Sequence, residues 1–279
     1  MNRRSFLQST FGVAGALAAR RVWGATGAKA TDVVYLGPDK IKLTRLAMGT
    51  GTKGGSRQRL LGMDGLADLL HFGYDQNLFF WETADLYKTH PAFRLALKRV
   101  PREKVTIMTK SSAKTAEEMR ADLDRFRLET GSDYFDIVLL HACRTPTWPD
   151  ERKGAMEALS EAKQKGIVRS HGVSCHSIEA MQTAVKTPWV HVDLARINPA
   201  KILMDGDPPA IVSVLRQLKA AGKGTIGMKI LGEGQLKDRK DEALKFAMSL
   251  DCLDCFTIGC ESRDEVTDLL KRIPAAAAA

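Results

Sequence analysis

Three residues with complementary proton chemistry close successive β-rich runs, Glu82, Lys110 and His141, and a fourth, Tyr87, lies in the turn just beyond Glu82. A phenol with an ordinary pKa of about 10 is a weak proton donor near neutrality. An ammonium beside it favours the phenolate and eases loss of the proton. A carboxylate holds that ammonium in place, and an imidazole can orient a carbonyl oxygen by hydrogen bonding. The set suits delivery of a proton to a carbonyl oxygen while hydride arrives at carbon. Tyr87 is then the proton donor, Lys110 lowers its pKa, Glu82 positions Lys110, and His141 orients the substrate.

These residues converge only if the elements carrying them form one mouth. From Thr31 onward a β-rich run, a polar turn and an amphipathic helical stretch repeat eight times. The β runs are 43–49, 78–83, 104–110, 134–141, 168–175, 191–198, 225–231 and 255–260. Ile137-Val138-Leu139-Leu140 is continuously apolar, as a strand buried on both faces must be. Residues 115–130 place Met119, Leu123, Phe126 and Leu128 near helical spacing among charges. Ser177 reads as an N-cap, and Pro208 and Pro209 as the first turn of a later helix. Eight strand–helix units predict a single-domain (β/α)8 TIM barrel over 31–279, whose site lies at the C-terminal strand ends. Val33 to Leu43 reads as a hairpin closing the barrel bottom, and Ala275–Ala279 as a disordered end.

The balance of 44% hydrophobic and 27% charged residues is that of a globular chain. The formal charge is +9, from 42 Lys and Arg against 33 Asp and Glu. Residues 1–30 hold Arg3, Arg4, Arg20, Arg21 and Lys29 and no acid, so removing them leaves 37 against 33, or +4. That charge needs no nucleic-acid partner. The same thirty residues read as an export signal: a basic start, an apolar stretch from Phe11 to Ala19, and an Ala-x-Ala end. Arg3-Arg4-Ser5-Phe6-Leu7 resembles the twin-arginine (Tat) signal. Cleavage after Ala30 fits, and Ala16-Leu17-Ala18 is a second candidate. Left uncleaved, the segment would be a weak membrane tether. The expected location is periplasmic or otherwise exported, with the Tat machinery as a partner.

From about Val33 to Ile273 the sequence resembles the aldo-keto reductase family. Glu82-Thr83-Ala84-Asp85-Leu86-Tyr87 is similar to its Asp-Thr-Ala-x-x-Tyr motif. Met108-Thr109-Lys110, Asp136 through His141, and Gly166-Ile167-Val168-Arg169 through Ser174 follow its next three strand ends in order. The resemblance implies a nicotinamide dinucleotide, NADP(H) before NAD(H), and a small carbonyl or alcohol substrate. It implies that Gly49 and Thr50 border the cofactor and that Ser174 and Cys175 hold the carboxamide. It further implies that Gly259, Ser262 and Arg263 hold the adenosine phosphate at a helix start, which suits an anion. Glu82 stands for the family's aspartate, Cys175 for its asparagine, Met228 for a nicotinamide-stacking tyrosine, Glu261 for a frequent 2′-phosphate arginine, and Lys88 for a glycine. The rival reading is a catalytically silent exported binding protein on the same barrel.

Five cysteines follow the leader. Cys252 and Cys255 could form a short disulfide; two buried apolar side chains are the favoured reading. His141, Cys143, Cys175 and His176 make a zinc-like set without a Cys-x-x-Cys pair, and no metal is expected there.

Overall fold

The computed structural model describes residues 27–278. Along the chain run β1 (Val33–Leu36), β2 (Ile41–Thr44), β3 (Leu46–Gly49), α1 (Ser56–Arg59), α2 (Gly62–Asp75), β4 (Phe80–Glu82), α3 (His90–Ala96), β5 (Thr106–Ser111) and α4 (Ala116–Thr130). Then come β6 (Phe135–Cys143), α5 (Trp148–Glu151), α6 (Lys153–Gln164), β7 (Val168–Cys175), α7 (Ile178–Lys186), β8 (Val192–Arg196), α8 (Pro208–Ala220), β9 (Gly224–Met228), α9 (Lys240–Ser249), β10 (Cys255–Gly259) and α10 (Arg263–Ala278). Strands β3 to β10 close into a parallel barrel in chain order, β10 pairing β3. The expected (β/α)8 architecture is therefore observed as one domain.

Local chemistry sets the boundaries. Thr115 caps α4 by accepting from the Glu118 N–H, and the Glu118 side chain reaches back to the Thr115 N–H, a reciprocal capping box. Ser177 caps α7 by accepting from the Ala180 N–H. Pro208 and Pro209 open α8, where a missing N–H costs nothing.

The run expected over 43–49 is broken at Arg45. Its first part pairs antiparallel with β1 as a hairpin, and its second part enters the barrel. The hairpin closes the barrel floor as expected: Leu36, Ile41 and Leu43 pack against Phe80, Ile137 and Val192 inside it. The floor is thus mainly apolar, with Thr106 fastening the hairpin by donating to the Lys42 carbonyl at 2.6 Å.

The leader, 1–30, lies mostly outside the described residues; of its last part, Ala28 and Ala30 are buried, and the Ala30 carbonyl accepts from the Leu46 N–H at 2.9 Å. The disordered end expected at Ala275–Ala279 is corrected: α10 continues through Pro274 to Ala278. Ile273 is buried, Ala276 and Ala277 pack against the core, and alanine is the strongest helix former, which outweighs the missing proline donor.

Candidate active site

Side chains alternate across a strand, so the barrel interior is set by register. Gly49 lies beside Glu82, Lys110 beside Leu139, and Ser174 beside Leu194. Gly49, Glu82, Lys110, His141, Ser174 and Thr257 therefore share the inner face at the C-terminal rim.

Lys110 is fully buried. Its Nζ donates to Glu82 Oε1, to the Thr83 carbonyl at 2.8 Å and to Tyr87 Oη at 3.3 Å. An ammonium has three donors, and these partners use all of them. Glu82 Oε2 accepts from Thr257 Oγ1 at 3.1 Å. Gly49 leaves the room for this contact: a Cβ there would lie 2.5 Å from Thr257 Oγ1 and 3.1 Å from Glu82 Oε2.

Tyr87 ends a short 3₁₀ turn after β4 and is buried. Its N–H donates to the Ala84 carbonyl at 3.0 Å, and its carbonyl accepts from Arg59 Nη1 at 2.7 Å. Lys88 follows with φ 56°, a left-handed conformation that glycine adopts more easily. Gly51 lies over the ring; a Cβ there would come within 2.5 Å of Tyr87 Cε2. Buried hydroxyls fasten the surrounding loops: Thr89 Oγ1 is 2.9 Å from Thr50 Oγ1 and 2.8 Å from Thr83 Oγ1. His141 meets the Tyr87 ring edge-on, with centroids 5.8 Å apart.

The electrostatics correct one expectation. Burial, followed by the charges of Glu82 and Glu233, holds Tyr87 well above the usual phenol value rather than below it. Lys110 is matched by Glu82, so the phenol does not face an uncompensated cation. Burial pulls Lys110 itself down, and Glu82 opposes that shift. Burial, reinforced by Lys110, puts His141 well below its ordinary value. At neutral pH the site therefore presents a neutral phenol and a neutral imidazole.

A cavity of about 670 Å³ opens at this rim, within the roughly 300–1,000 Å³ typical of small-molecule sites. Tyr87, Glu82 and Met228 line its inner end; Arg57, Glu261 and Glu265 line the wall toward α10. The implied cofactor residues are distributed unevenly. Gly259 lines the cavity. Ser174 Oγ is buried with no hydrogen-bond partner among the described residues. Thr50 spends its hydroxyl on the Glu82 carbonyl and Thr89. Cys175 departs from expectation: it follows Ser174 on the opposite phase, toward the helices, and its Sγ donates to Asp193 Oδ2 at 3.2 Å. Ser262 Oγ accepts from the Glu265 N–H at 3.2 Å, and the Arg263 guanidinium lies 5.3 Å over the Phe72 ring.

Among the described residues no cluster of three His, Cys, Asp or Glu side chains is placed to hold a metal. All five cysteines are free and buried, including Cys252 and Cys255. Sequence reasoning missed Thr257, Gly51 and the Thr83 carbonyl. Thr257 was findable from its position two residues before Gly259, on the same face of the strand; the other two depend on loop geometry.

The Aldo/keto reductase family model matches residues 45–266. This chain belongs to the aldo/keto reductase family. Over 117 residues it is 31% identical to methylglyoxal reductase DkgB of Escherichia coli O157:H7, a match covering 37% of this chain and 40% of the relative. The chain thus spans less than half the length of that curated relative. An aldo-keto reductase of Bacillus halodurans in its holo form superposes with a TM-score of 0.69 at 15% identity, over 89% of this chain and 91% of the other. One from Bombyx mori in complex with NADP gives 0.67 at 14% identity, over 88% and 92%.

Removing one partner of a buried pair strands the other charge. Glu82→Ala should lose about 3–5 kcal/mol of stability, whereas Glu82→Asp, which keeps the carboxylate, should lose about 1 kcal/mol. Urea denaturation of both variants measures this. An alanine variant as stable as the parent would show that the pair does not hold the site.

Proposed function

We propose that this protein is a nicotinamide-dependent oxidoreductase that interconverts an aldehyde or ketone and its alcohol, with Tyr87 as proton donor. One observation carries the reading: Lys110 donates to Tyr87 Oη at 3.3 Å, so the phenol oxygen accepts and its own O–H is left to point at a substrate oxygen. In this reading neutral His141, which meets the ring edge-on, orients that oxygen by donating a second hydrogen bond.

The proton leaves Tyr87 Oη for the substrate oxygen, and the phenolate so formed is stabilised by the Lys110 ammonium already bonded to it. Glu82 and Thr257 keep the ammonium in position. Gly51, lying over the ring, limits its movement.

The family membership and the NADP bound to the Bombyx mori relative support a nicotinamide dinucleotide as the redox partner. When bound, it supplies or accepts the hydride. The residues present fit such a group. Ser174 Oγ is a buried polar atom on the inner face without a hydrogen-bond partner among the described residues, suited to a carboxamide, and the cavity extends from Tyr87 to the start of α10.

Tyr87→Phe should leave the fold and dinucleotide binding intact and lower carbonyl reduction by about 10²–10⁴. Steady-state kinetics with a panel of small aldehydes and ketones, beside a fluorescence titration of cofactor, measures both. Turnover near the parent value would remove Tyr87 from the mechanism.

We also propose export by the twin-arginine route, supported by Arg3-Arg4-Ser5-Phe6-Leu7 and the acid-free leader. Arg3→Lys/Arg4→Lys should retain the protein in the cytoplasm on fractionation. Unchanged partitioning would show that the pair is not read as a signal.

A further inference from the structure

Chemistry fixes one end of a bound dinucleotide: the nicotinamide must lie at Tyr87. The other end then falls along the remaining cavity wall, where Arg57, Lys240, Glu261 and Glu265 stand. A phosphate on the adenosine ribose would need an uncommitted cation or a helix N-terminus on that wall.

The chain has already filled these positions. Arg57 makes a forked pair with Glu261, its Nε donating to Oε1 at 2.9 Å and its Nη2 lying 2.6 Å from Oε2. At the start of α10, Glu265 Oε2 accepts from the Glu261 N–H at 2.7 Å, and Ser262 Oγ accepts from the Glu265 N–H. Ser262 thus caps one N–H of that helix, and the Glu265 carboxylate closes the turn just before it. Lys240 pairs with Asp268 at 2.9 Å. Arg263 is stacked on Phe72. Lys53 and Lys237 also line the cavity, but the pyrophosphate common to both dinucleotides needs such charge.

We infer that Glu261 and Glu265 make the outer end of the cleft selective for NAD(H) over NADP(H). A ribose 2′-hydroxyl is a donor that either carboxylate can accept. A 2′-phosphate would face two carboxylates and would have to displace one of them from Arg57 or from the helix start. The inference rests on the proposed oxidoreductase function and reverses the cofactor order that the sequence resemblance implied.

The test is calorimetric titration of the full chain with NADH and with NADPH, for the parent and for Glu261→Gln, with thermal melts to show that the variant folds. The parent should bind NADH about 10- to 100-fold more tightly, the range of a charge-assisted hydrogen bond made or lost. Glu261→Gln frees Arg57 and should raise NADPH affinity about tenfold while changing NADH affinity less. Equal or tighter NADPH binding by the parent would overturn the inference and leave the oxidoreductase reading standing. An unchanged affinity ratio in a folded Glu261→Gln would overturn the role of Glu261. Binding of neither dinucleotide would overturn both this inference and the function beneath it.

Discussion

A lysine ammonium buried on every side is tolerable only when each of its protons has an acceptor and its charge has a partner. Lys110 meets that condition through Glu82, the Thr83 carbonyl and Tyr87 Oη. Much else follows from it. Glu82 must point inward, which requires Gly49 to lack a side chain and gives Thr257 its role as second donor. The Thr83 carbonyl must face the ammonium, so the chain turns sharply after β4 and brings Tyr87 back over the rim. The phenol receives a hydrogen bond and is left with one to give. The positioning of Tyr87, and the proton donation proposed for it, both follow from satisfying one buried charge.

The barrel makes this possible by separating its interior into layers. The floor is mainly apolar and covered by the β1–β2 hairpin, which separates the ammonium from that end of the barrel. The rim carries the polar residues, and buried threonine hydroxyls tie its loops together. Burial also explains the protonation of the site. Burial lifts Tyr87 and depresses His141, so both stay neutral where solvent-exposed side chains would titrate nearer their ordinary values.

The architecture and the four central residues were legible in the sequence because both follow from period. Eight β runs alternating with helical stretches leave few alternatives, and a residue at the end of a run falls at the rim. Phase was harder to read. Ser174 and Cys175 are adjacent, yet one faces the interior and the other faces Asp193. The direction of the Tyr87 shift was missed because motif spacing shows that Lys110 is near but not how deeply the phenol is buried, an effect to which the Glu82 charge adds. The pairing of Arg57 with Glu261 was hidden because the two residues are far apart in the chain. The terminal alanines resembled low-complexity sequence, and only Ile273 beneath them revealed a docked helix.

The central claim is that Tyr87 rests as a neutral phenol held by Lys110, and the pH dependence of the two reaction directions tests it most directly. Reduction uses the protonated phenol, which persists below its raised pKa, and a neutral His141, which persists above its lowered one. The kcat/KM for carbonyl reduction should therefore be flat from about pH 6 to pH 9. Alcohol oxidation needs the phenolate and should rise steadily through the same alkaline range without reaching a plateau. A reduction profile that falls away near neutrality, with oxidation already at its maximum there, would show that Tyr87 ionises easily and would contradict the account.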